Sequence, residues 1–98
     1  MDYRQLGDTG ARVSELCFGT WRFGRETDGV VETTKGEAHE LLDAFVDRGG
    51  NFIDTANVYG DPSGRSESWI GDWLADRDRS DVVLASKVYF GFDPDNPN

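Results

Sequence analysis

Two short apolar segments, Asn51–Ala56 and Asp81–Val88, each carry one charged side chain close to the carboxyl end, Asp54 in the first and Lys87 in the second. A stretch with helical spacing precedes each of them. Ala38, Leu41, Leu42, Phe45 and Val46 recur at the period of an amphipathic helix before the first, and Ile70, Trp73 and Leu74 share a helical face before the second. Short buried strands alternating with helices need crossover connections, and these build a parallel sheet with right-handed βαβ units.

The helix ends are written in the sequence. Thr34 followed by Glu37 matches a capping box, and Gly49-Gly50 stops the element, so the first helix should run from about Lys35 to Arg48. Ser66 is placed to cap the second, and Trp69, four residues before Trp73, can stack along it. Ahead of the helices, a strand at Tyr3–Leu6, a turn at Gly7-Asp8-Thr9-Gly10 and a strand near Arg12–Ser14 predict a hairpin. Leu16–Thr20 is a compact apolar strand that stops at Gly19, where no side chain keeps another group away from the backbone. The segments Trp21–Val31, Asn57–Arg65 and Tyr89–Asn98, the last holding Pro94 and Pro97, are expected to be loops. The expected order is hairpin, strand, helix, strand, helix, strand, loop. No internal repeat stands out beyond the βα alternation, and no linker divides the chain.

At 98 residues there is room for one domain only. The 19 Asp and Glu outnumber the 10 Lys and Arg, and the basic residues are scattered, which argues against nucleic acid and anionic membrane as partners. Asp outnumbers Glu, and Lys35 and Lys87 are the only lysines, a balance expected of a halophilic protein whose surface stays solvated in concentrated salt. An ordinary acidic cytosolic protein is the alternative. Cys17, the single cysteine, can form no internal disulfide and is expected to be a small buried side chain between Leu16 and Phe18. The start, Met1-Asp2-Tyr3-Arg4-Gln5, lacks the pattern of a signal peptide, and no apolar run reaches membrane-spanning length, so a cytoplasmic location is expected.

In parallel α/β folds the functional groups gather at the carboxyl ends of the strands, and Asp54, Tyr59 and Lys87 all fall there. Alternation puts Phe52, Asp54 and Ala56 on one face of their strand and Val83, Ala85 and Lys87 on one face of the next, so the two charges can meet. A lysine buried in an apolar strand needs a partner, and Asp54 is the obvious one. An ammonium beside the phenol of Tyr59 would lower its pKa toward the range of a general acid. Each residue alone has an ordinary structural explanation: a carboxylate binding backbone, a loop aromatic, an ion-pair partner. Trp69 and Trp73 are expected to pack on the sheet rather than on a ligand, Glu67 to serve the helix dipole, and His39 to face solvent from the first helix.

Phe18-Gly19-Thr20-Trp21, Phe52-Ile53-Asp54-Thr55-Ala56 with Tyr59-Gly60, Ser66-Glu67 with Ile70-Gly71, and Ala85-Ser86-Lys87 together resemble the aldo-keto reductase family, over nearly all of Tyr3–Val88. The resemblance implies an α/β fold, the N-terminal part of a (β/α)8 TIM barrel preceded by a hairpin that closes its bottom, with residues 1–98 as one segment of a single barrel domain. It further implies an oxidoreductase that reduces aldehydes or ketones with hydride from NADPH, NADH being open. The cofactor would be bound extended, without a Rossmann fingerprint.

On this sequence the family's catalytic roles fall to Tyr59 as proton donor, Lys87 as the group that lowers its pKa, and Asp54 as the holder of Lys87. Gly19, Thr20, Trp21 and Asp54 would lie by the cofactor, and Trp21 and Tyr59 by a small-molecule carbonyl substrate. No metal is implied, and the oligomeric state is open. The family's fourth catalytic residue is a histidine on the following strand, which these residues do not include, and His39 on the first helix cannot replace it. Because such a barrel has eight strands and typically about 250 residues, the chain is expected to be an inactive fragment of a longer enzyme. A non-catalytic binding or regulatory protein built on the same fold is the alternative.

Overall fold

The computed structural model describes residues 1–91 and residue 95; Pro94 and Pro97, in the expected tail loop, lie outside the described residues. Strands β1 (Tyr3–Gln5) and β2 (Arg12–Ser14) form the predicted antiparallel hairpin, with Tyr3 opposite Ser14 and Gln5 opposite Arg12. It is fastened to the amino end of the central strand. The Asn51 side chain accepts from the Ser14 amide at 2.7 Å and donates to the Arg12 carbonyl at 2.9 Å, and Tyr3 donates its hydroxyl proton to the Gly49 carbonyl.

Three strands make the parallel sheet, in the order β3 (Phe18–Gly19), β6 (Phe52–Asp54) and β7 (Val83–Ala85). Register places Phe18, Ile53 and Leu84 side by side, and Gly19, Asp54 and Ala85 side by side one residue later. The pleat sends these two rows to opposite faces. The first row faces the helices, where Ile53 is fully buried and Phe18 and Leu84 pack against the core. No described helix covers the second face, and it carries the charged groups.

Three residues depart from expectation. Cys17 is exposed, because alternation turns it away from Phe18 and the helices. Leu16 is 66% exposed in the turn before the strand. Lys87 is not buried within a strand: β7 ends at Ala85, and the lysine side chain beyond it is 49% exposed. The residues before Val83 are also not strand, since Arg79–Asp81 form one turn of 3-10 helix capped by the Asp78 carboxylate.

Helix α1 (Lys35–Asp47) begins with both halves of its capping box formed between Thr34 and Glu37. It ends where Gly49, at φ 92°, lets its own amide and that of Gly50 return to the Val46 and Phe45 carbonyls. Helix α2 (Arg65–Leu74) starts differently from expectation. Its N-cap is Gly64, in the left-handed region at φ 95°, and the Tyr59 carbonyl accepts from the Gly64 and Ser66 amides. Ser66 does not cap the helix; it is fully buried in the first turn. Trp69 and Trp73 do not pair along the helix either, each lying instead near an arginine, Arg65 and Arg77 respectively.

The segment expected to be a loop from Trp21 to Val31 contains a second hairpin, β4 (Glu26–Thr27) and β5 (Val30–Val31). Its turn is Asp28-Gly29, with φ of 53° and 79°, the pair of positive values that a two-residue type I′ turn requires. The hairpin is tied to the loop before α2, because Asp61 accepts from the Glu26 amide at 2.7 Å and donates its own amide to the Gly24 carbonyl.

Ala38 and Leu42 of α1, Ile70 and Trp73 of α2, Ile53, Phe23 and Val82 form the core between helices and sheet. At its rim, Trp73 donates its indole proton to Asp43, which also binds Arg77, and Lys35 pairs with Asp72 at 2.6 Å. The Trp73 hydrogen bond is the main reason the Asp43 carboxyl lies below the ordinary aspartate range, and Lys35 does the same for Asp72. A carboxylate lowered in the folded state adds stability above its unfolded pKa, and that contribution disappears as pH falls through the folded value. The α1–α2 contact should therefore weaken below about pH 4, seen as a change in Trp73 fluorescence. Asp43→Asn should flatten that acid limb, and an acid profile unchanged by the substitution would remove this carboxylate from the explanation. No described helix is long and apolar enough to cross a membrane.

Candidate active site

At the carboxyl ends of β6 and β7 the register brings the predicted polar groups together. Asp54 closes β6 opposite Ala85, and Lys87, two residues further along, returns to the same face. Its amine lies 2.8 Å from each Asp54 carboxylate oxygen, 2.9 Å from the Thr55 carbonyl and 3.4 Å from the Tyr59 hydroxyl. An ammonium has three protons, so carboxylate, carbonyl and phenol oxygen can each receive one. Hydrogen bonding to Asp54, the largest influence, holds the Lys87 amine above the usual lysine range against the opposing effect of desolvation. The group is a cation throughout the neutral range.

Tyr59 is held by its backbone. Its amide donates to the Ala56 carbonyl, and its own carbonyl caps α2, so the start of that helix sets where the phenol stands. Gly60 allows the sharp exit: at φ 101°, an added Cβ would come within 2.7 Å of the Arg65 Cβ and 3.0 Å of the Ser66 amide nitrogen. Gly19 lies beside Asp54 on the open face with free space where a side chain would start. Trp21 is 51% exposed beyond it, with the Arg25 guanidinium 4.0 Å from its ring.

The structure turns Thr20 inward. Its amide and hydroxyl both donate to the Asp54 carbonyl, at 3.2 and 2.9 Å, and its carbonyl accepts from Ser66. His39 is not solvent-facing but half-buried between the helices, its Nε2 2.8 Å from the Trp69 carbonyl, on the helix side of the sheet. Cys17 shares the open face, where partial desolvation and the Asp54 charge push its thiol up, away from reactivity. Glu67, in the first turn of α2 as expected, also accepts from the Ser86 hydroxyl at 2.7 Å.

Sequence reading missed the β4–β5 hairpin, although Asp28-Gly29 between short alternating segments is its signal. It also missed the contacts of Thr55 and Ser66, for which no sequence signal exists, since partners 11 and 46 residues apart meet only after folding.

Three parallel strands backed by helices, with a lysine, an aspartate and a tyrosine at one end of the sheet, form the N-terminal part of a (β/α)8 barrel. The chain belongs to the aldo/keto reductase family, whose model matches residues 15–98. It is 45% identical over 95 residues to norsolorinic acid reductase B of Dothistroma septosporum, covering 94% of this chain and 24% of that protein. With the uncharacterized oxidoreductase YrpG of Bacillus subtilis it shares 48% identity, covering 100% of this chain and 30% of the relative. Among solved structures, the aldo-keto reductase AKR11C1 of Bacillus halodurans, in its holo form, superposes with a TM-score of 0.77 at 33% identity, covering 99% of this chain and 29% of that one. The chain thus spans 24–30% of the length of these relatives.

Proposed function

We propose that this chain is the N-terminal segment of a barrel that reduces aldehydes or ketones to alcohols with NADPH or NADH, and that Tyr59 delivers the proton. The observation that carries this is the amine of Lys87, bonded to both Asp54 oxygens and within reach of the Tyr59 hydroxyl. A phenol is a weak acid, but an ammonium against its oxygen favours the phenolate as the proton leaves. Asp54 keeps the ammonium at that spot and balances its charge, so the cluster can lose a proton from Tyr59 without reorganising. Thr55 takes part through its carbonyl, which receives a Lys87 proton and fixes the amine from a third side.

A bound nicotinamide would supply the hydride. The residues fit such a group: space is open at the missing side chain of Gly19, directly beside Asp54, and Trp21 offers an exposed ring at the rim. Gly19, Asp54 and Trp21 would hold it, Thr20 supporting Asp54 from beneath, while Tyr59 and Trp21 would contact the carbonyl substrate. That one relative is named as a reductase of norsolorinic acid supports the direction of reaction. The excess of Asp over Glu and the near absence of lysine support a surface adapted to high salt.

The test is NADPH consumption by a complete barrel carrying this segment, offered small aldehydes and ketones. Turnover with alcohol formed in equal amount is the expected result. Cofactor binding without consumption of any carbonyl would favour the non-catalytic binding protein.

A further inference from the structure

Directly behind the cluster, on the helix side of the strand ends, three hydroxyls meet with no exposure to solvent: Thr20, Thr55 and Ser66. Buried hydroxyls are costly unless bonded, and valine or alanine would fill the same space without that cost. Here their bonds form one directed chain. The Ser66 hydroxyl donates toward the Thr20 carbonyl and hydroxyl, each at 3.2 Å, which leaves Thr55 as donor in its 3.4 Å contact with Ser66. The Thr20 hydroxyl in turn donates to the Asp54 carbonyl at 2.9 Å.

Both ends of this chain reach the groups that hold Lys87. At one end is the backbone of Asp54, whose carboxylate binds the amine. At the other is Thr55, whose amide donates to the Ala85 carbonyl at 2.8 Å and whose carbonyl accepts from Lys87 at 2.9 Å. Ser66 sits between them on the first turn of α2, and its amide donates to the Tyr59 carbonyl at 3.1 Å. One buried serine is therefore bonded to the supports of all three site residues, although it touches none of their reacting groups. Neighbouring bonds of this kind strengthen one another and confine a single arrangement.

We propose that Ser66 and the Thr20 hydroxyl are positioning residues, which set the distance between the Lys87 amine and the Tyr59 phenol through Asp54 and Thr55. This rests on the proton-donor role proposed above for Tyr59. A cluster loosened by a fraction of an ångström loses rate without losing ligand, since alignment matters far more to proton delivery than to binding.

The test compares Thr20→Val, which keeps the volume and removes the hydroxyl, with Thr20→Ser, which keeps the hydroxyl and removes a methyl. Ser66→Ala is the second probe, and Tyr59→Phe the control. All are made in a complete barrel carrying this segment, with NADPH and one aldehyde. Expected are a kcat about ten- to a hundredfold lower for Thr20→Val and Ser66→Ala, with KM and the Kd for NADPH within about twofold. Thr20→Ser should recover most of the lost kcat although its thermal stability falls, because rate follows the hydroxyl and stability follows the methyl. If Thr20→Val does not fold, the comparison stands on Ser66→Ala. Equal kcat in Thr20→Val or Ser66→Ala and the parent, with Tyr59→Phe inactive, would overturn the positioning role alone. An active Tyr59→Phe would overturn it together with the proton-donor role.

Discussion

Tyr59→Phe, introduced into a complete barrel carrying this segment, should lower kcat for carbonyl reduction by about 10²–10⁴-fold. The substitution removes one oxygen, the atom 3.4 Å from the Lys87 amine, and leaves the ring in place. It leaves the backbone anchors as well, because the Tyr59 carbonyl still caps α2 and its amide still reaches Ala56. Lys87 keeps Asp54 and Thr55, so the cation does not become an unpaired charge. The loss should therefore appear in kcat, with the Kd for NADPH, measured by quenching of protein fluorescence, within about twofold of the parent. A kcat within about threefold of the parent would take the proton-donor role away from Tyr59, since a lost general acid costs at least tenfold more than that.

Leu42→Ala should cost about 2–5 kcal/mol of folding stability. Leu42 is fully buried on α1, in the cluster that joins this helix to Ile53 of the central strand and to Ile70 of α2. Among the described residues the sheet is packed by helices on one side, so the helix layer is its main source of buried apolar contact. Removing three methyl-sized groups there leaves a cavity in the packed cluster. Denaturant unfolding of parent and variant measures the difference. A midpoint shift equivalent to less than about 1 kcal/mol would show that α1 is not held through Leu42, because that is well below the cost of truncating a packed core leucine.

Much of this fold can be read from local chemistry. The Thr34–Glu37 capping box and the Gly49-Gly50 stop bracket α1 within one residue of its observed ends, because capping depends on residues three or four apart. The alternation that brings Asp54 and Lys87 to one face is also local, as Asp54 follows from counting along β6 and Lys87 stands two residues past the end of β7. What escaped depends on distant parts of the chain. Ser66 is a common N-cap residue, and it lost that position because the carbonyl of Tyr59 and a left-handed Gly64 already begin the helix.

Cys17 and Lys87 are more exposed than their neighbours predict, for one shared reason. Apolar neighbours along a strand do not say which face the helices cover, and both residues lie on the face that no described helix covers. His39 differs in the other direction, half-buried because the Trp69 carbonyl beside its ring belongs to a second helix. In the candidate site the charged pair and the phenol were legible as residue types at strand ends. Their supports, Thr20, Thr55 and Ser66, were not, because a hydroxyl in a core segment gives no sign of what it will bind.

The most direct measurement is transfer of label from NADPH deuterated at the position of the nicotinamide that gives up hydride. A complete barrel carrying Asp54, Tyr59 and Lys87 should yield an alcohol with deuterium on its carbinol carbon, and the Tyr59→Phe form should yield almost none in the same time. Alcohol free of deuterium, or label formed at the same rate without the phenol, would contradict the assignment of this cluster to carbonyl reduction.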